Sequence, residues 1–192
     1  MRTSTITRNT KETKIKLSLN LDGTKNIDIN SGVPFFDHML TLFAFHAGFD
    51  LDIYCDGDLS VDDHHTIEDI GIVLGEAVKN ALGDKLGIQR YGLMYLPMDE
   101  ALSRVVIDIS NRPFLHYKAT YQRISIGLLS LENVKEFFRA FSSEARINLH
   151  IETLYGDNDH HKVESIFKGF GRALFEATRI TSTDISSTKG VL

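Results

Sequence analysis

The chain is poor in several features that would place it in other classes of protein. It has one cysteine, Cys55, among 192 residues, so no disulfide can form within it. A single thiol fits a reducing compartment, and we expect the protein in the cytoplasm. No apolar run approaches the ~20 residues that span a bilayer. The first residues, Met1–Thr5, lack the apolar core of a signal peptide, so we expect neither membrane insertion nor export.

Positive charge is also scarce. Lys and Arg number 21 against 26 Asp and Glu, which gives a formal net charge of -5. No basic stretch is present that could neutralise a phosphate backbone, so nucleic acid is not expected as a main partner. A small anionic substrate remains compatible with this charge, provided that a local cluster of Arg or Lys holds it against the overall negative field.

Hydrophobic periodicity divides the chain into strands and helices in a repeated order. Apolar residues alternate with period two over 13–21, 25–30 and 49–55, and recur at helical spacing over 34–47 and 63–82. In the second half, strands are predicted over 101–110, 114–121 and 147–154, and helices over 131–145 and 159–177.

The two halves share more than an amphipathic pattern. The apolar stripe of the last predicted helix lies 96 residues after that of the helix over 63–82, and so do Gly171 after Gly75 and a His-His-x-x-Glu motif. Chance explains a shared stripe, but it poorly explains a shared motif at the same helical phase. We interpret this as an internal duplication.

The predicted fold class is α+β, built from a duplicated β-β-α-β-α unit in which each half is a mixed sheet with two helices on one face. The halves are predicted as residues 1–92 and 93–192. With three prolines in the chain, no Pro-, Gly- or Ser-rich linker separates them, and we expect one compact body.

The duplicated motif indicates metal binding. Side chains at i and i+4 share one helix face, so His64 with Glu68 can hold one ion, and His160 with Glu164 can hold another. Adjacent residues diverge by about 100° around the axis. The second histidine of each motif should therefore point away from its neighbour's ion and reach the other ion, in a crosswise arrangement. These second histidines are His65 and His161.

Two further histidines are candidates to complete the ligand shells. His38 lies on the first predicted helix, and His150 lies on a strand between apolar residues, where a lone histidine is more often a structural residue. With them, six His and two Glu would supply three His and one Glu per ion. Imidazole with carboxylate suits Zn, Mn, Fe or Ni. Zinc prefers four ligands, whereas four protein ligands plus open positions favour octahedral Mn²⁺, with two ions per site.

Other charged residues are candidates to bind a phosphate or to transfer protons. The cationic candidates are Arg90, Arg112, Lys168 and Lys189, with Ser187 as an added donor, although any one of these cations alone would more often be solvated surface charge. Glu12 and Glu100 each stand at the start of a predicted strand, and Asp99 precedes Glu100. A carboxylate near metal ions can serve as a general base.

These motifs together resemble the imidazoleglycerol-phosphate dehydratase family over nearly the whole chain. The matching segments are 8–13, 36–40, 62–69, 97–101, 160–164 and 187–191. The resemblance implies a duplicated α+β fold, two Mn²⁺ ions per active site and a homo-oligomer of 24 subunits with sites at interfaces. It also implies dehydration of imidazole glycerol phosphate to imidazole acetol phosphate, a step of histidine biosynthesis. In that reaction the metal centre would promote imidazolate formation and loss of hydroxyl.

Departures from the family pattern are few. Asn111 replaces a glycine before Arg112, which matters little because Asn tolerates positive φ. Residues 123–130 match poorly and are assigned no function. Two rival functions remain open: the Asp-His-His string also occurs in phosphoesterases of the DHH type, and a metal-storage shell would need no substrate site. The absence of further Asp-rich motifs disfavours the first, and the separate cations disfavour the second.

Overall fold

The computed structural model describes residues 1–192 and contains ten strands and four helices. The helices are α1 (Pro34–Ala47), α2 (His64–Leu82), α3 (Glu132–Ala145) and α4 (Asp159–Thr178). The strands of the first half are β1 (Thr3–Asn9), β2 (Thr13–Asn20), β3 (Ile27–Asn30) and β4 (Asp50–Gly57). Those of the second half are β5 (Tyr91–Met98), β6 (Ala101–Asp108), β7 (Phe114–Lys118), β8 (Ser125–Ile126), β9 (Leu129–Ser130) and β10 (Asn148–Tyr155).

Each half forms one mixed sheet of the same topology. The order is β1-β2-β4-β3 in the first sheet and β5-β6-β10-β7 in the second, while β8 and β9 form a separate small hairpin. β3 runs parallel to β4 and β7 parallel to β10, and the other pairs in the two larger sheets are antiparallel. The predicted α+β class, duplication and mixed sheets are therefore confirmed.

The repeated unit has one more strand than the sequence predicted. β1 and β5 precede the predicted elements, so the unit is β-β-β-α-β-α. β1 has only Ile6 as an apolar residue, and β5 has apolar residues on both faces together with Gly92 and Pro97. Neither strand shows the alternation by which a half-buried strand is found in a sequence. The predicted division after residue 92 falls inside β5, and the limits of the halves stay a prediction.

The four helices lie between the two sheets. β2 and β4 bury alternate residues against α2, while α1 lies on β3 of the same sheet. β6 and β10 do the same against α4, while α3 lies on β7. Across the middle, α1 packs on α4 and α2 packs on α3. Aromatic rings of three helices meet there, since the ring centroid of Phe137 lies 5.3 Å from Phe36 and 5.5 Å from Phe167. One core of 45 buried residues includes side chains from both halves.

Two equivalent glycines allow these helix pairs to approach closely. A Cβ on Gly75 of α2 would lie 2.6 Å from the carbonyl oxygen of Phe141, and a Cβ on Gly171 of α4 would lie 2.4 Å from that of Phe43. Both distances are too short for a real Cβ. The α2–α3 and α1–α4 contacts are thus copies of one another, related by the duplication. No helix is both long enough and apolar enough to cross a membrane.

Candidate metal centre

The His-His-x-x-Glu motifs occupy the first turns of α2 and α4. A polar residue two positions before each motif's first histidine accepts a hydrogen bond at the start of the helix. Asp62 accepts from the backbone N–H of His64 at 2.8 Å, and Asn158, the N-cap of α4, accepts from that of His160 at 2.9 Å. The neighbouring imidazole rings are nearly perpendicular, with interplanar angles of 81° in α2 and 80° in α4. The two histidines of each motif therefore diverge, as the helix geometry predicts.

The first cluster joins α1 to α4. Nε2 of His38 and Nε2 of His160 each lie 3.1 Å from Oε1 of Glu164, and these three side chains have ligand atoms within 4.8 Å of one another. Lys168, one turn further along α4, places Nζ 2.6 Å from Oε2 of the same carboxylate. Burial raises the pKa of Glu164, but the hydrogen bonds from Lys168, His38 and His160 outweigh it and hold the pKa at about 2. The carboxylate is therefore ionised and suited to bind a cation.

The second cluster lies at the start of α2. Nε2 of His64 is 3.5 Å from Oε2 of Glu68, the predicted i, i+4 pair. Nδ1 of the same ring lies 3.0 Å from Oδ1 of the buried Asn133 on α3, to which it can donate. A proton held on Nδ1 leaves the lone pair on Nε2 free for a metal ion, as is usual for metal-binding histidines.

His65 and His161 turn to carboxylates outside their helices. Nδ1 of His65 lies 3.0 Å from Asp58, and Nδ1 of His161 lies 2.7 Å from Glu100. Both contacts raise the pKa of the histidine that makes them. Each Nε2 again faces outwards, 3.7 Å from Glu12 for His65 and 3.7 Å from Asp99 for His161.

The donor set fits divalent ions. Imidazole nitrogens and carboxylate oxygens meet at one cluster, and the acceptors on Nδ1 of His64, His65 and His161 fix the tautomer that metal binding requires. Within one chain, His65 and His161 lie apart from the i, i+4 pair of their own helix. This leaves them available to an ion bound elsewhere, as the crosswise prediction requires.

His150 is not brought to either cluster. It lies on the exposed outer face of the second sheet, where its ring centroid is 5.6 Å from that of His116 on β7 and 5.6 Å from that of Phe114. The helices that carry the motifs cover the opposite face of this sheet. The sequence analysis predicted His150 to be a metal ligand. An alternating pattern shows which residues share one face of a strand, but it does not show which of the two faces the helices cover.

Four of the five residues predicted to bind phosphate line one pocket. Its volume is about 490 Å³, and it is lined by Arg90, Arg112, Ser187 and Lys189 together with neighbouring residues. The side chain of Arg112 is 65% exposed, whereas Arg90 is tied to Asp108 at 2.7 Å and to the carbonyl of Ser186 at 2.8 Å. Arg90 therefore fixes the C-terminal tail against the sheet. Lys168 lies at the first cluster instead.

The predicted bases differ in how fully they are engaged. Glu100 accepts hydrogen bonds from the backbone N–H groups of Asn158 and Asp157, at 2.8 Å and 3.2 Å, in addition to holding His161. The hydrogen bonds from Asn158 and His161 lower the pKa of Glu100 to about 2. Because its carboxylate is engaged in holding these neighbours, Glu100 has the geometry of a positioning residue. Glu12 and Asp99 are freer, with side chains 54% and 72% exposed.

A comparison with known families identifies the family of the chain. The family model described as imidazoleglycerol-phosphate dehydratase matches residues 31–174, which include both motifs and both clusters. The chain belongs to the imidazoleglycerol-phosphate dehydratase family.

Full-length relatives and solved structures agree with this assignment. Imidazoleglycerol-phosphate dehydratase of Clostridioides difficile (strain 630) is 58% identical over 192 residues, with 100% of both chains covered. That of Hydrogenovibrio crunogenus is 57% identical over 195 residues, again with 100% of both chains covered. The crystal structure from Staphylococcus aureus subsp. aureus N315 superposes with a TM-score of 0.85 at 44% identity and covers 93% of this chain and 99% of that one. The structure from Pyrococcus furiosus gives 0.83 at 40% identity, with 97% and 100% covered.

Family membership confirms the predicted resemblance and the enzyme class, a hydro-lyase. The structure adds residues to the site that the sequence did not single out. Asp58 and Asn133 orient His65 and His64, yet each stands in an unremarkable polar context, Asp58 in a turn and Asn133 near the start of α3. Only the three-dimensional contact reveals such an orienting role.

The dehydratase fold separates the anion pocket from the α4 motif within one chain. Arg90 directly precedes β5, whereas Asp99 and Glu100, which face His161, directly follow it. β5 has eight residues, and a strand rises ~3.3 Å per residue, so the two features lie roughly 25 Å apart. A small phosphorylated substrate cannot reach from this pocket to the α4 motif of the same chain.

Proposed function

We propose that the chain dehydrates imidazole glycerol phosphate to imidazole acetol phosphate, a step of histidine biosynthesis, with two Mn²⁺ ions per active site. The observation that carries this proposal is the first cluster, in which His38, His160 and Glu164 converge within reach of one ion in a member of this family. The His64–Glu68 pair would supply ligands to a second ion, and His65 and His161 would each reach crosswise to the ion held by the other motif. Mn²⁺ suits this oxygen- and nitrogen-rich set, and the cytoplasm is the expected compartment.

The reaction removes a hydroxyl from the carbon bearing the imidazole ring and a proton from the next carbon. The resulting enol becomes the ketone, and one water leaves. The proton that is lost has no adjacent carbonyl to acidify it, so the ring must supply the electrons that expel the hydroxyl. Divalent ions bound at the clusters would supply Lewis acidity to the ring and a template for the substrate.

The chain's own residues account for the remaining requirements. Glu12 is an exposed carboxylate 3.7 Å from Nε2 of His65, beside a metal-ligand candidate, and is our choice for the base that takes the proton. Arg112, Ser187 and Lys189 would bind the phosphate and so hold the reacting carbons in position. Glu100 orients His161.

We further propose that the active site is shared between chains of a homo-oligomer, with 24 subunits as the expected assembly. The support is the length of β5, which separates the anion pocket of a chain from that chain's α4 motif. A substrate anchored in the pocket of one chain would meet the metal ligands of another. Sharing also places these polar groups at a cleft between chains, where they need not be buried in a chain's own core.

The direct test is an assay of the purified, Mn²⁺-loaded protein on imidazole glycerol phosphate, with imidazole acetol phosphate as the measured product. Formation of this ketone supports the proposal. Hydrolysis of a phosphodiester without dehydration would favour the phosphoesterase alternative. Metal binding with neither activity would favour a storage shell.

Loss of a cation from the anion pocket should weaken substrate binding without loss of metal. We expect Arg112→Ala or Lys189→Ala to raise KM by roughly tenfold or more, since a hydrogen bond to a charged group contributes ~1.5–3 kcal/mol. Lys79→Ala, on an exposed lysine in the last turn of α2 that does not line the pocket, is the control. Steady-state kinetics and elemental analysis give the two readouts. Unchanged KM and kcat in both variants would remove these cations from the site.

A further inference from the structure

The duplication relates the two glutamates that stand at the start of a strand. β1 and β2 begin at residues 3 and 13, and β5 and β6 begin at residues 91 and 101, so the first two strands of each half recur at an offset of 88 residues. The same offset carries Glu12 to Glu100. The two glutamates therefore occupy equivalent turns, each between the first two strands of its half.

These equivalent turns are fixed in opposite ways. Glu100 uses its carboxylate, which accepts hydrogen bonds from two backbone N–H groups of the loop before α4 and contacts His161. Glu12 is held through its backbone: its N–H donates to Oγ1 of Thr10 at 3.1 Å, and its carbonyl accepts from the N–H of Asp58 at 3.0 Å. The carboxylate of Glu12 is thus left free, as a group that takes a proton must be.

A buried polar cluster ties the first turn to α2. We call it the Asp69 node and define it as Arg8, Thr13 and Asp69. One carboxylate oxygen of Asp69 accepts a hydrogen bond from Oγ1 of Thr13, and the other lies 3.0 Å from Nη2 of Arg8, which has no other acidic partner. Thr13 and Asp69 are both buried, and Thr13 directly follows Glu12. Because Arg8 lies on β1 and Thr13 on β2, the node anchors both strands that flank the turn.

The second half has no such node. The equivalents of its three residues are Leu96 and Ala101, at the offset of 88 for the strands, and Ser165, at the offset of 96 for the motif helices. None of these carries a charge, and Oγ of Ser165 instead lies 2.6 Å from Oγ of Ser103. The charged node is therefore present only in the half whose turn glutamate has a free carboxylate.

Resting on the proposed function, we propose that Asp69 is a positioning residue for proton transfer. Through Thr13 and Arg8 it holds the turn in place, so that the carboxylate of Glu12 need not do so and remains free to take the proton. Asp69 follows Glu68, but successive side chains diverge by about 100° around a helix, and Asp69 turns to the sheet. Its effect therefore falls on kcat, and not on the binding of metal or phosphate.

The test is a pair of substitutions at Thr13. Thr13→Val keeps the branched shape and removes the hydroxyl that Asp69 holds, whereas Thr13→Ser keeps the hydroxyl. Thr13→Val should lower kcat by roughly tenfold or more with KM and metal content unchanged, since a misplacement of about 1 Å can cost ~10²-fold. Thr13→Ser should retain most of the rate. Thr5→Val removes a hydroxyl contact to Ser18 between the same two strands, away from the turn, and is the matched control.

Amide hydrogen exchange follows the turn without reference to activity. The N–H groups of Glu12 and Thr13 both donate to Thr10, and their exchange should accelerate in Thr13→Val but not in Thr5→Val. Asp69→Asn, which keeps the size of the side chain and removes the charge, is a second variant with the same expected result. Circular dichroism and light scattering check that each variant is folded and assembled.

A double substitution separates positioning from a general loss of structure. In a Glu12→Gln background the base is already absent, so Thr13→Val should lower kcat little further. Wild-type kcat in both Thr13→Val and Asp69→Asn, or an equal fractional loss in the two backgrounds, would overturn the proposal. If Mn²⁺-loaded wild-type protein fails to dehydrate the substrate, the proposed function fails, while hydrogen exchange still decides whether the Asp69 node holds the turn.

Discussion

Chelation of the bound divalent ions should reduce dehydration to background, and Mn²⁺ should restore it. We expect this loss of activity to exceed that caused by any single substitution, because His38, His160 and Glu164 converge on one ion site. No side chain of the protein can replace the bound ion as a Lewis acid. The measurement is product formation before chelation, after chelation and after Mn²⁺ is returned, with elemental analysis of each sample.

The same experiment reports on assembly. If ligands of one ion come from two chains, each bound ion stabilises their interface by mass action. Size-exclusion chromatography with light scattering should then show smaller, inactive particles after chelation and recovery with Mn²⁺. Mg²⁺ supplied at the same concentration is a control for charge alone. Full activity in a sample shown to be free of metal would contradict the metal-dependent account, and an unchanged particle mass would contradict the coupling.

Glu12→Gln should lower kcat by about 10²-fold or more, the usual scale for loss of a general base. Glutamine preserves the size and most of the hydrogen bonding of the side chain but cannot take a proton. Glu12 is exposed and its carboxylate lies near Nε2 of His65, so the substitution should leave the fold intact. Single-turnover rates at saturating Mn²⁺ isolate the chemical step.

Glu100→Gln distinguishes a base from a positioning residue. Glu100 holds His161 and the loop before α4, so its loss should weaken Mn²⁺ binding, and added Mn²⁺ should recover much of the activity. A wild-type rate for Glu12→Gln would assign proton transfer elsewhere, with Asp99 and Glu100 the next candidates. Asp99→Asn is then the variant to compare.

Much of this fold could be predicted because its pattern is local and repeated. Helix α1 has its predicted range, and α2, α3 and α4 each differ from theirs by one residue, since apolar spacing, Pro34 and the turn residues mark the helix ends. β1 and β5 were missed because pairing with β2 and β6 stabilises them, rather than an alternating pattern of their own. Such strands depend on tertiary context, which periodicity does not encode.

The metal-ligand pairs were predictable from geometry only where the motif is itself helical. The i, i+4 pairs His64–Glu68 and His160–Glu164 follow from helix geometry, and His38 was proposed as a further histidine to complete a ligand shell. His150 shows the limit, because the period of a strand does not show which face of its sheet the helices will cover.

In the proposed enzyme the substrate bridges two chains, from the anion pocket of one to the metal ligands of another. The measurement that tests it most directly combines two variants, Glu164→Gln, which damages the first cluster, and Lys189→Ala, which damages the pocket. The two proteins are dissociated by chelation, mixed, reassembled with Mn²⁺ and assayed at a substrate concentration well below the wild-type KM. Shared sites predict that mixed assemblies regain activity beyond that of either variant alone, because some sites then combine an intact cluster with an intact pocket. Mixed assemblies no more active than the average of the two parents would place the whole site within one chain and contradict the account.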